Sequence, residues 1–210
     1  KYHNSEMVFD SSDSVVDEDQ FKQKDWTASE FGFSLKEMFP PNMPEAQGFG
    51  FVMQAFVDAD HAGNSITQRS QTGFLVYLYL APIYWYAKKQ AGVKTSLFGS
   101  EFITMKQCTE YIRGLRYKLW MMGIPVEGCC YVYGDNKSAL ANSSIPDSTL
   151  KKKSQSIAYH MIREGVARDE WRTCYVNTNE NMADLLTKQL PSGEKRKGFV
   201  MNLIHHIFRK

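Results

Sequence analysis

The sequence predicts an α/β fold, and two observations lead to this prediction. Three strand-like segments follow one another with short links between residues 51 and 88, which is typical of an antiparallel meander. After them, helical patterns alternate with two further strand-like segments. A chain of 210 residues with 43% hydrophobic content can bury a core, so we expect one domain of roughly 150 residues with shorter segments at its ends.

Composition limits the class of protein. No apolar run approaches the roughly 18 residues of a membrane span, so no membrane partner is expected. The four cysteines include no CxxC pair and are interpreted as reduced thiols of an intracellular protein. Residues 1–30 carry eight acidic and three basic residues, whereas the whole chain has a net charge of +2. The remainder is therefore basic, which is compatible with a nucleic-acid partner and also with an ordinary surface.

The segment before residue 50 has its own character. Its acidic first part mixes Ser with Asp and lacks apolar periodicity, which is typical of a solvated linker. The aromatic residues from Trp26 to Phe39 then indicate a part that docks on something, ended by Pro40, Pro41 and Pro44. The chain begins with Lys1 and is interpreted as a piece of a longer protein. We place the domain boundary near Gln47 to Gly50.

The first predicted strand runs from Phe51 to Asp58 and ends in acids. Its apolar residues share one parity, and Asp58 and Asp60 share the other. Such a strand either stops at solvent or presents ligands for a cation, and for a lone DxD the first alternative is the commoner. The second strand is predicted over Thr72 to Leu80 and the third over Ile83 to Lys88. Pro82 is assigned to the hairpin connection between them, and Trp85 to the core.

A long amphipathic helix is predicted from Ser96 to Met122, with Thr95 or Ser96 as its N-cap and Gly123 at its end. Its apolar positions recur every three or four residues, so they form a stripe that faces a sheet. Glu101 falls on that stripe. A buried carboxylate there is costly unless a cation meets it, although Glu101 could also simply complement the helix dipole.

The remaining elements bring two more acids to the ends of predicted elements. A strand from Cys130 to Gly134 leads into Asp135, which is either a helix N-cap or a ligand beyond the carboxyl end of a strand. A helix near the carboxyl end holds Asp184 in its first turns. The further predicted elements are helices over Lys137 to Asn142, Lys151 to Ala167, Met182 to Gln189 and Glu194 to Lys210, and a strand over Trp171 to Val176.

The order of these elements, together with a set of short motifs, resembles the RNase H domain at the end of the polyprotein of Ty1/copia-type retrotransposons. Each motif alone is weak, whereas their order and spacing over about residues 50–190 make the match strong. The motifs are FVDADHAG (Phe56–Gly63), RSQTG (Arg69–Gly73), IYWYAKKQ (Ile83–Gln90), SLFGSEF (Ser96–Phe102), YGDN (Tyr133–Asn136), HMIRE (His160–Glu164) and ADLLTKQL (Ala183–Leu190).

This resemblance implies an RNase H-like fold with a mixed five-stranded sheet, three antiparallel strands and then two parallel ones, flanked by helices. It also implies three parts of the chain. Residues 1–49 would be an acidic linker and docking segment after the reverse transcriptase, residues 50–190 the RNase H-like domain, and residues 191–210 a C-terminal helical tail. The reverse transcriptase domain of the same polyprotein would be a partner, inside the cell in a cytoplasmic virus-like particle or the nucleus.

The resemblance further implies a metal-dependent endonuclease that cleaves the RNA strand of RNA–DNA hybrids. The catalytic and metal-binding positions would be Asp58, Glu101, Asp135 and Asp184, holding two Mg²⁺ ions for which Mn²⁺ can substitute. Asp58 would bridge both ions, Glu101 and Asp135 would complete one site, and Asp184 the other. The residues expected to contact the hybrid are Lys88, Lys89, Ser96, Asn136, Lys151, Lys152 and Lys153.

Two departures from the family and two alternatives bear on this reading. Cellular RNases H carry a histidine in the loop that here runs from Asn177 to Asn181 without one. The family's helix before the last strand often has a lysine–histidine pair, and the corresponding region here reads Lys153-Ser154-Gln155. One alternative is a catalytically inactive RNase H-like module that binds nucleic acid or serves in packing, which an Asn or Gly at any of the four acidic positions would favour. The other is an integrase-type fold, against which Asp184 argues because that family ends in Glu.

Overall fold

A computed structural model describes residues 5–6, 23–31, 36–63, 65–150, 155–203 and 205–206 of the chain. Its main elements are five strands and five helices among these residues. They are β1 (Phe51–Asp60), β2 (Gln71–Leu78), β3 (Ala81–Lys89), α1 (Leu97–Met121), β4 (Val126–Gly134), α2 (Lys137–Ser144), α3 (Ser156–Ala167), β5 (Trp171–Tyr175), α4 (Asp184–Thr187) and α5 (Glu194–Leu203). The backbone of Ser5–Glu6 also pairs antiparallel with His205–His206.

The five strands form one mixed sheet in the order β3-β2-β1-β4-β5. The pairs β3–β2 and β2–β1 are antiparallel, and β1–β4 and β4–β5 are parallel, which confirms the predicted arrangement. Pro82 lies inside β3 instead of in the connection before it. An edge strand tolerates proline because one side of its backbone has no strand to bond.

Helix α1 packs on the sheet and contributes side chains to the main hydrophobic core. Ser96 is its N-cap, and the Ser96 side chain accepts a hydrogen bond from the Gly99 N–H at 3.2 Å. The helix ends just before Gly123, whose φ of +73° suits glycine. The predicted stripe is buried at Met105, Cys108, Ile112 and Leu119, all less than a tenth exposed, so α1 packs on the sheet as predicted.

Helices cover both faces of the sheet. On one face, α1 packs with α2 and α3 through a cluster that includes Phe102, Leu140 and Ile162. On the other face, α4 and α5 lie over β2, where Met182 and Phe199 pack against Leu75 and Tyr77. This second layer brings the start of α4 next to the end of β1.

The described parts of the segment before residue 50 contact the domain. Trp26 is 5% exposed and belongs to the main core, and the Arg163 guanidinium lies 4.8 Å from its ring centroid. Glu37 forms a bidentate ion pair with Arg116 of α1. The surface on which the Trp26 side chain docks is therefore the domain itself. The division of the chain at residues 49 and 190 stays a proposal.

Three further expectations have definite outcomes. Trp85 is 55% exposed, so its assignment to the core is wrong; it lies on the edge strand β3, where one face of the strand meets solvent. The four cysteines are buried and form no disulfide, as predicted. The prediction that the last helix continues to Lys210 is wrong: the helix ends at Leu203, and the backbone of His205–His206 pairs as a strand with Ser5–Glu6. Residues 204 and 207–210 lie outside the described part. Among the described residues, none of the helices has the length and apolarity that crossing a membrane requires.

Candidate active site

Three carboxylates meet at the carboxyl ends of β1 and β4. Asp58 lies on β1 and is 1% exposed, and Asp135 follows β4 directly. Because β1 and β4 are parallel neighbours, their carboxyl ends share one edge of the sheet, where ligands of α/β sheets gather. Asp184, fully buried at the start of α4, completes the group. One oxygen from each acid lies within 4.8 Å of the others.

Two features hold α4 against the sheet. The Asn181 side chain, which is fully buried, donates to the Val57 carbonyl at 2.9 Å and accepts from the Ala183 N–H at 3.2 Å. Gly73 is the register partner of Asp58 on β2, and a Cβ at Gly73 would lie 2.5 Å from Thr187 Cγ2. A glycine at this position therefore lets the helix approach closely enough to place Asp184 beside Asp58.

Asp135 is not the cap of the helix that follows it. Asn136 is the N-cap of α2, and its Oδ1 accepts from the Ala139 N–H at 3.1 Å. Asp135 Oδ2 instead accepts a hydrogen bond from Thr178 Oγ1 at 2.9 Å. The capping alternative for Asp135 is thereby excluded, and its carboxylate faces the other acids.

Glu101 lines the same cavity but is not part of the group within 4.8 Å. It is the fifth residue of α1 and 5% exposed. A carboxylate complements the helix dipole best within the first turn, and Glu101 lies beyond that turn. Burial first, and then the negative charges of Asp58 and Asp135, raise the pKa of Glu101 to about 9. The carboxyl group thus favours its protonated form near neutral pH when no further cation is close.

Two lysines contact the buried acids. Lys188 Nζ lies 2.5 Å from Asp184 Oδ1 and 3.2 Å from Asp58 Oδ1, and Lys195 Nζ lies 2.6 Å from Asp184 Oδ2. Asp58 also accepts a hydrogen bond from Thr187 Oγ1. Burial raises the pKa of Asp58 to about 6, although Thr187 and Lys188 act against it. Burial lowers the pKa of Lys188, but the hydrogen bonds and charges of Asp184 and Asp58 outweigh it and raise that pKa overall.

The donor set suits a hard divalent cation. Among the described residues, five acids and three lysine ammonium groups line or contact this cavity. The acids outnumber the bases, and carboxylate oxygens from separate elements are the ligands that magnesium accepts. The side chains present therefore fit a divalent metal ion in their chemistry.

The residues predicted to contact nucleic acid are distributed unevenly. Asn136 lines the acidic cavity, and Lys89 lines a neighbouring cavity together with Arg69 and Lys188. Lys88 is exposed on β3, and the Ser96 side chain caps α1. Lys151, Lys152 and Lys153 lie outside the described residues.

Sequence reasoning missed several side chains of the site. Thr187 and Lys188 follow Asp184 by three and four residues, so helical spacing could have placed them beside it. Thr178 and Lys195 come from separate segments and carry no such spacing signal. Lys137 also lines the acidic cavity. It is the first residue of α2, a helix that the sequence predicts over Lys137 to Asn142.

The fold has solved counterparts. An N-terminal RNase H domain from Mycobacterium tuberculosis superposes with a TM-score of 0.52, at 13% sequence identity, over 66% of this chain and 91% of that one. LC11-RNase H1, isolated from compost, gives a TM-score of 0.51 at 13% identity over 65% and 92%. At this identity the likeness concerns the fold alone, and the fold is RNase H-like.

Sequence relatives then specify the kind of domain. The retrovirus-related Pol polyprotein from transposon RE2 of Arabidopsis thaliana is 32% identical over 66% of this chain and 10% of its own length. That from transposon TNT 1-94 of Nicotiana tabacum is 31% identical over 67% and 10%. The chain thus spans about a tenth of these relatives, and no protein-family model matches it. Fold and homology together confirm the predicted RNase H-like domain of a copia-type retrotransposon polyprotein.

Proposed function

We propose that this domain is a ribonuclease H, a metal-dependent endonuclease that cuts the RNA strand of RNA–DNA hybrids during reverse transcription. The observation that carries the proposal is the meeting of Asp58, Asp135 and Asp184, from three separate elements, with one oxygen each within 4.8 Å of the others. A structural neighbour, LC11-RNase H1, has been solved in complex with an RNA/DNA hybrid, and that structure matches this chain with a TM-score of 0.52. This similarity supports the same substrate here.

In this proposal, Asp58, Glu101, Asp135 and Asp184 hold two Mg²⁺ ions, and Mn²⁺ can replace them. When bound, such ions activate the attacking water and stabilise the charge on the leaving 3′-oxygen of the ribose. The four acids compensate the ionic charge and fix the positions of the ions, because each acid is carried by a different strand, helix or strand end.

Neighbouring side chains keep the acids in place before substrate arrives. Thr178 orients Asp135, Thr187 orients Asp58, and Asn181 fixes the segment that leads into Asp184. Preorganised ligands of this kind avoid the cost of reorienting dipoles during the reaction. Hydrogen bonds from neutral donors are compatible with cation binding because they add no positive charge to the site.

The substrate would lie across the acidic cavity and its basic neighbour. Asn136 is at the first, and Arg69 and Lys89 are at the second. Basic side chains hold phosphates without regard to base sequence, and the 2′-hydroxyl distinguishes the RNA strand. Lys88, Ser96, Lys151, Lys152 and Lys153 remain further proposed contacts.

We also propose with which partner and in which part of the cell the domain acts. The domain would act together with the reverse transcriptase of the same polyprotein, which produces the hybrid. The reaction would take place inside the cell, in a cytoplasmic virus-like particle or the nucleus.

The test is cleavage of a labelled RNA–DNA hybrid with Mg²⁺ or Mn²⁺, beside an RNA–RNA duplex and an EDTA control. We expect metal-dependent cutting of the RNA strand of the hybrid alone. Asp58→Asn should abolish it, whereas Asp147→Asn, which changes an exposed acid outside the cavity lining, should not. If the domain bound the hybrid but cut it with neither Mg²⁺ nor Mn²⁺, it would instead be an inactive binding module.

A further inference from the structure

The contacts of Lys188 point to a role that the proposed function does not contain. We propose that Lys188 is an internal cation that competes with the divalent metal for Asp58 and Asp184, and so sets the metal affinity of the site. This inference rests on the proposed function, because it presupposes that the acids bind metal.

The position of the Lys188 ammonium is the first argument. It contacts both buried acids at once, at 2.5 Å from Asp184 Oδ1 and 3.2 Å from Asp58 Oδ1. The two acids are fully or almost fully buried, so their charges are poorly screened by water and need a nearby cation. A single ammonium group that bridges two carboxylates meets this need in the same place where a metal ion would.

The remaining oxygens of these acids also have protein partners, and the partners differ in kind. Asp58 Oδ2 accepts from the Thr187 hydroxyl, and Asp184 Oδ2 pairs with the Lys195 ammonium. A hydroxyl can share a carboxylate oxygen with a metal because the oxygen has a second lone pair. An ammonium group repels a divalent cation. Displacing Lys188 frees an oxygen on both acids in one step, whereas displacing Lys195 frees an oxygen on Asp184 alone.

Lys188 has room to leave. Its side chain is 34% exposed, and it borders two cavities, the acidic one and the one that Arg69 and Lys89 also line. The residue follows the last turn of α4 in an extended conformation, with φ −114° and ψ 143°. Its side chain can therefore turn toward the second cavity while α4 and Asp184 stay in place.

The test compares Mn²⁺ binding by calorimetry in the wild type and in Lys188→Met. We expect the variant to bind Mn²⁺ about tenfold more tightly, since a competitor worth about 1.4 kcal/mol is removed. In EDTA the same variant should melt at a lower temperature than the wild type, because two buried acids lose their shared cation. Lys188→Gln, which keeps a donor without the charge, should also bind more tightly and provides the measurement should the Met variant not fold.

The matched control is Lys137→Met. Lys137 lines the same cavity, but its ammonium lies over the Tyr175 ring, 4.6 Å from the centroid. Its removal lowers the local positive charge without freeing a carboxylate oxygen, so we expect less than about a twofold change in Mn²⁺ affinity at physiological salt.

Two results would overturn the inference while leaving the proposed function intact. The first is wild-type Mn²⁺ binding with an unchanged or weaker affinity in Lys188→Met and Lys188→Gln. The second is an equal gain in Lys137→Met, which would assign the effect to the overall field. Absence of Mn²⁺ binding in the wild type and in every variant would reject the proposed function itself, and the inference with it.

Discussion

Two of the regions of this domain that contain buried charges balance them differently. On one side of α1, Arg116 is 2% exposed and its guanidinium pairs with both carboxylate oxygens of Glu37, at 2.6 and 2.7 Å. It also donates to the Gly128 carbonyl at 2.8 Å. At the carboxyl ends of β1 and β4, five acids and three lysines line or contact one cavity.

The comparison separates a structural use of buried charge from a functional one. One guanidinium facing one carboxylate gives a pair whose charges cancel, so this pair fastens the segment around Glu37 to α1. The acidic cavity keeps more carboxylates than ammonium groups, which costs stability. Such an excess is useful when a bound cation completes the balance. Each of the following variants changes one region alone, either by removing a charge or by preventing the close approach of α4 to β2.

The largest effect is expected from the balanced pair. Arg116→Met leaves the Glu37 carboxylate in a partly buried position without its partner, and breaking a buried pair in this way costs about 3 kcal/mol. Thermal and urea unfolding measure the loss. As a reference, Lys106→Met breaks the exposed pair between Lys106 and Glu110 and should cost no more than about 0.5 kcal/mol. Equal losses in the two variants would contradict the structural role of the Arg116 pair.

A smaller effect is expected where α4 meets the sheet. In Gly73→Val the new side chain would collide with Thr187 Cγ2, 2.5 Å from the Cβ position, and with Leu186 Cβ at 2.9 Å. Overpacking of this kind costs about 2 kcal/mol, and moving α4 should also weaken Mn²⁺ binding. Gly114→Ala is the control, because nothing lies within 4 Å of its Cβ position and alanine favours the helix. Unaltered Mn²⁺ affinity in Gly73→Val would show that the site does not need this close approach.

A pH-dependent effect is expected from Glu101. Because folding raises the pKa of this acid to about 9, the stability of the protein in EDTA should fall as the pH rises from about 4.5 toward that value. Glu101→Gln removes this loss. Its melting temperature should match the wild type near pH 5 and exceed it at pH 8.

The control for that prediction is Glu110→Gln on the exposed face of α1, which should change the melting temperature by the same small amount at both pH values. If the difference between Glu101→Gln and the wild type did not grow with pH, the burial of an uncompensated Glu101 carboxylate would be refuted.

The sequence predicts most of the sheet because its signals are local. Alternating apolar residues located β1, and the three- and four-residue spacing of apolar positions located α1. The motif order then placed Asp58, Glu101, Asp135 and Asp184 on their elements. The misplaced details follow from tertiary context: Trp85 is aromatic like a core residue, but β3 is an edge strand and leaves it 55% exposed.

Contacts between distant segments were beyond sequence reasoning. Thr178 and Asp135 are 43 residues apart, Arg116 and Glu37 are 79 apart, and Asn181 and Val57 are 124 apart. No periodicity links such positions, since only the folded sheet brings them together. The contact between Lys188 and Asp184 could have been predicted from helical spacing, because the two residues are four positions apart.

The most direct test of the account is the melting temperature of Asp58→Asn and of the wild type at pH 8, each in EDTA and in Mn²⁺. Burial raises the pKa of Asp58 to about 6, so at pH 8 the ionised carboxylate costs stability that the neutral amide avoids. We predict that Asp58→Asn melts above the wild type in EDTA, and below it in Mn²⁺ because it lacks a ligand. A variant that melts below the wild type in EDTA, or that gains as much as the wild type from Mn²⁺, would contradict the claim that these acids are kept in excess for a cation.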